Sequence, residues 1–156
     1  SCPGFPHLNC SIIKRELYLG IGGMDEGIRY ECEVDLYLRT LDAATLILYN
    51  PTIIARHNVP DAAQKANVST QVNRVGKLLS QTTIYQKNLA TANSTAVQDR
   101  CRDKLTLAYK NLAQEFAGER NFHRAATFAR MALAFRYTIK WRLYCLQLEL
   151  LAALRG

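Results

Sequence analysis

The sequence predicts a mostly helical fold of the α+β class, in which a small mixed α/β segment at residues 1–66 precedes a helical region at residues 67–156. Two runs of β-forming residues, each followed by asparagine and proline, lie in the first segment. The second segment repeats apolar residues at three- and four-residue steps, which is the period of an amphipathic helix. These two patterns together predict the fold class.

Two helices are predicted in the first segment, on either side of a glycine turn. Residues 15–21 suit a short helix, and Gly22 and Gly23 then allow the positive φ at which many helices end. Residues 31–44 place apolar side chains on one face at helical spacing. The chain is therefore expected to turn sharply between these two helices.

Residues 9–14 are predicted to be extended, and two strands are expected to follow the second helix. Residues 45–49 and 52–56 consist largely of β-forming side chains, and the turn-forming pair Asn50 and Pro51 separates them. Strands that follow a helix this closely favour the edge of an α/β sheet.

The second segment is predicted to form a helical bundle. Its helical spacing covers four stretches, residues 68–88, 97–118, 122–135 and 140–154, with a polar break at residues 91–95. The middle two helices resemble one tetratricopeptide unit. The residues that carry this resemblance are Tyr109, Leu112, Ala113, Phe116, Phe122, Ala125 and Ala132. The resemblance implies a surface for a protein partner, whereas a plain antiparallel helix pair has the same spacing, so both interpretations stay open.

Charge is distributed unevenly along the chain. Residues 1–60 carry a net charge of −2, residues 61–156 carry +9, and the whole chain carries +7. A basic surface suits an anionic membrane, nucleic acid or a phosphorylated ligand, but basic residues spread along helices also form an ordinary solvated surface. Aromatic residues do not alternate with the basic ones as base stacking requires, so there is no strong nucleic-acid signal.

The composition predicts a cytoplasmic protein without a transmembrane segment. No apolar run reaches the roughly 18 residues that span a bilayer, and no signal-peptide pattern is present. The five cysteines include no Cys-x-x-Cys pair of the kind that binds zinc, and they are expected to be reduced. The basic residues allow association with a membrane surface.

Three acidic residues, Glu31, Glu33 and Asp35, lie within five positions at the start of the second helix. Carboxylates this close repel one another, so they need a helix N-terminus, a cation or a role in proton transfer. On a helix Glu33 and Asp35 point in different directions. Asp35 is expected to cap the helix or to pair with Arg39, while Glu33 is the candidate that removes a proton. A charged helix start without chemistry is the alternative.

His57 follows the second predicted strand. An imidazole at a strand end is well placed to ligate a metal ion, although a single histidine is also commonly a surface or hydrogen-bonding residue. No glycine-rich phosphate loop and no serine nucleophile motif occurs in the sequence, which argues against those enzyme classes.

The order of these motifs resembles the second half of a family 2 glycosyltransferase, a family with the GT-A fold. Five stretches carry the resemblance: Asn9-Cys10-Ser11-Ile12-Ile13-Lys14-Arg15, Ile21-Gly22-Gly23-Met24-Asp25-Glu26, Tyr30-Glu31-Cys32-Glu33-Val34-Asp35-Leu36-Tyr37-Leu38-Arg39, Ile47-Leu48-Tyr49-Asn50-Pro51 and Ala55-Arg56-His57-Asn58. The match covers residues 7–70 and implies part of a GT-A sheet there. Helical or tetratricopeptide-like tails, which residues 71–156 resemble, also occur in this family.

The resemblance implies inverting transfer of a sugar from a nucleotide sugar to a hydroxyl of a glycan or a lipid-linked acceptor. Glu33 matches the position of the family's general base, where aspartate is usual. Glu31 or Asp35 takes that position if the register shifts.

The resemblance also implies a divalent metal, Mg²⁺ or Mn²⁺, in the complete enzyme. His57 matches a position that helps to hold this metal in some GT-A enzymes, and Asn9 and Arg39 match candidate substrate-binding positions. The family's nucleotide-binding half, with its Asp-x-Asp motif, has no counterpart in these 156 residues. It is expected to precede residue 1, and this chain alone is expected to be inactive.

Overall fold

A computed structural model describes residues 11–48, 50, 52 and 73–155, and every regular element within them is a helix. The six helices are α1 (Arg15–Gly20), α2 (Cys32–Ala43), α3 (Arg74–Thr91), α4 (Thr95–Gly118), α5 (Phe122–Phe135) and α6 (Ile139–Arg155). None of these described helices is long and apolar enough to cross a lipid bilayer.

The predicted mixed α/β segment is wrong for the part of the chain that the structure describes. Residues 45–48 lie within the first predicted strand, but they are irregular, and Leu46, Ile47 and Leu48 are exposed. A strand needs a neighbour to complete its hydrogen bonds and cover its apolar face, and the described residues offer none. The second predicted strand lies outside the described residues except for Thr52. The α+β class and the partial GT-A sheet are therefore replaced by an all-helical architecture.

The predicted helices are confirmed, with ends that differ by a few residues. The range of α5 matches its prediction, and α4 begins at Thr95 rather than residue 97. The start of α3 is set by Asn73, whose side chain accepts a hydrogen bond from the Val75 amide at 3.0 Å. The predicted residues 68–72 of this helix lie outside the described residues.

Helices α3 to α6 pack as a series in which each helix lies against the next one along the chain. The densest packing joins α4 to α5. The fully buried apolar residues of these two helices are Cys101, Leu105, Leu112, Ala113, Ala125, Ala129 and Ala132. Alanine side chains let the two helix axes approach closely. Phe128 of α5 stacks on Tyr109 and Phe116 of α4, with ring centroids 6.2 and 5.5 Å apart.

Trp141, the single tryptophan of the chain, attaches α6 to the preceding helices. Its indole N–H donates a hydrogen bond to the carbonyl oxygen of Ala129 on α5 at 3.1 Å. The Nζ atom of Lys110 on α4 lies 5.0 Å from the centre of the ring, which is a cation–π distance. The indole therefore contacts both α4 and α5.

Asp42, near the end of α2, connects the first helices to this series. Its carboxylate accepts hydrogen bonds from the backbone N–H groups of Asn93 at 2.9 Å and Ser94 at 2.7 Å, just before α4. Ser94 is the N-cap of α4 but makes no capping bond with its own side chain. The Asp42 carboxylate thus supplies negative charge at this helix start. The predicted boundary between residues 66 and 67 lies outside the described residues. The contact of Asp42 with Asn93 and Ser94 joins the segments on either side of that boundary.

Three of the five cysteines lie in the described residues, and all three are free thiols: Cys32, Cys101 and Cys145. Burial raises the pKa of the Cys101 thiol to about 11. This thiol is therefore a small apolar core residue and not a reactive nucleophile.

Candidate functional site

The acidic segment begins after a tight turn that follows α1. Gly22 and Gly23 have φ angles of 83° and 66°, a region that side chains with a Cβ rarely adopt. A Cβ on Gly23 would also lie 3.2 Å from the ring of Tyr18. The Tyr18 hydroxyl accepts a hydrogen bond from the Met24 N–H at 3.2 Å. The turn is therefore held closely against α1.

Asp35 is the fully buried member of the acidic cluster. Its carboxylate accepts hydrogen bonds from Arg39 Nε and Asn88 Nδ2, both at 2.8 Å, and lies 3.1 Å from Lys87 Nζ. The predicted pairing of Asp35 with Arg39 is confirmed. A buried carboxylate needs several donors, because an unpaired charge in the interior is strongly destabilising.

Arg39 joins this carboxylate to the glycine turn. Its guanidinium donates hydrogen bonds to the backbone carbonyl oxygens of Ile21 and Gly23 as well as to Asp35. Arg39 also lines a cleft of about 200 Å³, together with Asp42. Its described contacts position the backbone, and a role in binding substrate stays a prediction.

Lys87 extends the same set of contacts to Asp25, whose Oδ2 lies 2.6 Å from Lys87 Nζ. Hydrogen bonds from Lys87 and from the Gly27 amide lower the pKa of Asp25. Burial lowers the pKa of Lys87, but its hydrogen bonds and charge interactions with Asp25 and Asp35 outweigh burial and raise it overall. Asp25, Asp35, Arg39, Lys87 and Asn88 together form the Asp35 network.

Glu31 immediately precedes α2 and adopts a positive φ of 59°. Its Oε1 atom lies 3.0 Å from Lys77 Nζ and accepts a hydrogen bond from Gln81 Nε2 at 3.1 Å. Both partners belong to α3. Glu31 therefore attaches the start of α2 to α3, and its charge is compensated by a lysine.

Glu33 is the one carboxylate of the cluster that forms no ion pair within the described residues. It lies half-buried in the first turn of α2, and the polar contact described for it is the Cys32 thiol, with Sγ 3.9 Å from Oε2. The unpaired backbone N–H groups of a first helical turn favour a negative charge. Glu33 thus has a carboxylate that can accept a proton or a hydrogen bond from a ligand.

The metal site that the resemblance implies stays a prediction, because its candidate ligand does not belong to the described residues. His57 and Asn9 lie outside them, and within them no group of three or more His, Cys, Asp or Glu side chains could hold a metal ion. Glu31 and Asp35 already bind lysine and arginine side chains, so their oxygens are not free ligands. Metal ligation by His57 and substrate binding by Asn9 stay predictions.

A basic groove of about 300 Å³ between α3 and α4 is the feature that sequence reasoning missed. Its lining consists of Arg74, Lys77, Leu78, Gln81, Tyr85, Lys104, Leu107, Ala108 and Asn111. The helical spacing of Arg74, Lys77 and Gln81 places them on one face of α3, and this was the available signal. Lys104 of α4 lies across the groove from them. This position depends on how the two helices pack, and the spacing of residues along one helix does not specify that packing.

Comparisons with known proteins identify no relative with this arrangement. No protein-family model matches the chain, and neither a curated protein nor a solved structure matches it. Function is therefore proposed from the residues, their geometry and the motif resemblance.

Proposed function

We propose that this chain is the acceptor-side part of an inverting glycosyltransferase and that Glu33 is its general base. The observation that carries this proposal is the difference among the three acidic side chains. Asp35 and Glu31 are ion-paired, whereas Glu33 has no such partner in the described part of the chain. A general base needs a carboxylate that can reach the proton it removes. The ordered motifs of the resemblance point to the same residue.

In the proposed reaction the oxygen of an acceptor hydroxyl attacks the anomeric carbon of a nucleotide sugar. The Glu33 carboxylate takes the hydroxyl proton as the new C–O bond forms. The bond between the anomeric carbon and the diphosphate breaks, and its electron pair leaves with the nucleoside diphosphate. Attack from the face opposite the leaving group inverts the configuration at that carbon.

The Asp35 network supports this chemistry through position and does not contact the reacting atoms. Arg39 holds the glycine turn against α2, and Lys87 and Asn88 hold α2 against α3. A catalytic group on a rigid element keeps its geometry better than one on an unsupported loop. The network therefore holds in place the helix that carries Glu33.

The proposed substrates are a nucleotide-sugar donor and a glycan or lipid-linked acceptor. The proposal concerns the residues around α2 and includes no sheet, since the described residues contain none. Donor binding is expected to require a nucleotide-binding segment in a longer polypeptide.

The variant Glu33→Gln tests the proposal in the complete enzyme that contains this chain. Release of nucleoside diphosphate is measured with a panel of nucleotide sugars, with and without acceptor. Glu33→Gln should lower kcat by about 10²- to 10⁴-fold, the usual contribution of a general base, and leave the KM for the donor unchanged.

Glu31→Gln is the matched control, because it removes a neighbouring carboxylate that is already paired with Lys77. It should keep most of the turnover. Unchanged kcat in Glu33→Gln, or a wild-type enzyme that releases diphosphate from no nucleotide sugar, would contradict the proposal.

A second candidate function, a helical interaction module, is favoured by the outer face of α6. Five large apolar side chains lie exposed on it at helical spacing: Ile139, Leu143, Leu146, Leu150 and Leu154. A contiguous exposed apolar surface on a helix marks an interaction site. This apolar stripe therefore favours a partner.

We infer that the partner is a second copy of this chain, bound through antiparallel pairing of two α6 helices. Arg142 and Glu149 flank the apolar stripe on one side, two turns apart. A two-fold axis midway between them brings Arg142 of one copy towards Glu149 of the other. Within its own described chain Arg142 forms no ion pair, and the ion pair of Glu149 with Arg130 is long, at 3.5 Å.

A further inference from the structure

The basic groove between α3 and α4 has positive charge on both of its walls. Arg74 and Lys77 lie on the α3 side and Lys104 on the α4 side, and the described lining residues include no carboxylate. A volume of about 300 Å³ is at the small end of the range for small-molecule sites. The groove therefore suits a compact anionic group.

Lys104 is the cation of this groove whose charge is least compensated. Arg74 and Lys77 have carboxylate partners at 2.9 and 3.0 Å, whereas Lys104 forms no ion pair among the described residues. Burial and the positive charge of Arg100 lower the pKa of Lys104, and the negative charge of Glu31 opposes them only in part. An anion bound beside Lys104 would stabilise its charged form.

Neutral hydrogen-bond donors complete the walls of the groove. Gln81, Tyr85 and Asn111 line it together with the three cations. Burial and the negative charge of Glu31 raise the pKa of Tyr85 to about 12, so its hydroxyl keeps its proton at neutral pH. Amide N–H and phenol O–H groups donate readily to phosphate oxygens.

We propose that this groove binds the phosphate or diphosphate group of a ligand. A phosphate fits it better than a single carboxylate does, because phosphate carries more charge and more acceptor oxygens for Lys104, for the partly compensated Arg74 and Lys77, and for the neutral donors. Glu31 and Glu115 pair with Lys77 and Arg74 from outside the lining, so they reduce the positive charge without removing it. The site is separate from Glu33, and phosphate binding does not depend on sugar transfer.

The test is a titration of the full chain with inorganic pyrophosphate at low salt. Calorimetry measures the affinity, and backbone amide shifts in NMR spectra locate the site. We expect saturable binding at one site, with amide shifts on the facing sides of α3 and α4. Lys104→Gln should weaken this binding by about tenfold, the usual effect of losing one charge-assisted hydrogen bond.

Lys140→Gln is the matched control, because Lys140 is exposed on α6 and its replacement removes the same charge. This variant should keep the wild-type affinity to within about twofold, since distant exposed charges are largely screened. Equal losses in the two lysine variants, or no saturation below about 10 mM pyrophosphate, would overturn the proposal. Circular dichroism is used to check that both variants fold.

Two further titrations separate the sources of the phosphate. A nucleoside diphosphate represents a free ligand, and phosphatidylcholine vesicles that contain phosphatidic acid represent a lipid headgroup. If the wild-type chain binds one of these two ligands and Lys104→Gln loses that binding, the result supports the site. Glu33→Gln should leave the pyrophosphate affinity unchanged, so failure of the sugar-transfer proposal is distinguishable from failure of this one.

Discussion

The Arg39 guanidinium contacts the Asp35 carboxylate at 2.7 Å and donates a second hydrogen bond, also of 2.7 Å, to the carbonyl oxygen of Gly23. One side chain thus ties a buried carboxylate of α2 to the turn that precedes the helix. The acidic cluster therefore combines a structural pair with a separate carboxylate, Glu33, that the described contacts leave available for chemistry.

Arg39→Met should lower the free energy of unfolding by about 3 kcal/mol, because removing one partner leaves a buried charge poorly compensated. Urea denaturation measures this change. The matched control is Arg102→Met, which breaks an exposed pair with Asp99 and should cost less than about 1 kcal/mol. Equal losses in the two variants would show that the Asp35 network does not stabilise the fold.

Acidification should destabilise the protein through Asp25. Its pKa in the folded state lies below the ordinary value of 3.8, so the unfolded state binds protons first as the pH falls. The stabilisation is complete above the ordinary value and is lost as the pH falls through the lowered one. Urea midpoints between about pH 6 and pH 2 measure it. Asp25→Asn should flatten this dependence, whereas Asp99→Asn, at an exposed position, should keep the wild-type slope.

The two glycines of the turn should differ in their tolerance of alanine. Gly22→Ala should cost about 1 kcal/mol, because the positive φ is strained but the space around the new Cβ is open. Gly23→Ala should cost about 1 to 3 kcal/mol more, because its Cβ would also press on the Tyr18 ring at 3.2 Å. Thermal unfolding compares the two variants, and equal midpoints would contradict the packing argument.

Asp42→Ala should lower the free energy of unfolding by about 1 kcal/mol, because α4 loses the charge at its start. Hydrogen exchange at the Asn93 and Ser94 amides should become faster in the same variant. Ser94→Ala is the control, since its side chain makes no capping bond, and it should change stability little. Unchanged exchange at both amides in Asp42→Ala would contradict this role.

Light scattering should show a concentration-dependent dimer for the wild-type chain and a monomer for Leu150→Glu. The substitution places a charge in the centre of the apolar surface between two α6 helices. Leu19→Glu on α1 is the control, because Leu19 is 61% exposed and Leu150 62%, and it should leave the dimer intact. A wild-type chain that stays monomeric at high concentration would rule out a second copy as the partner.

Helices were predictable because their signals are local. The apolar spacing that predicted α5 lies within one helix, and Asp35 and Arg39 are one turn apart, so their pairing also follows from sequence. Lys87 and Asn88 meet the same carboxylate from more than 50 residues away. No local pattern predicts that contact, because it depends on how α3 lies against α2.

The strand prediction failed for a related reason. Residues 45–48 have β-forming side chains, but β propensity reflects packing against neighbours as much as an intrinsic preference. The described chain places no strand beside them, and their apolar side chains are exposed. The basic groove was missed because Lys104 and Lys77 belong to different helices, and only packing brings their charges together.

Trp141 gives the chain an intrinsic optical probe. It is the single tryptophan, and its indole is held between Ala129 of α5 and Lys110 of α4. Excitation selective for indole therefore reports on one place, the attachment of α6. Separation of α6 would expose the ring to water and shift its emission to longer wavelength, so detachment of the last helix can be distinguished, without any label, from melting of the rest.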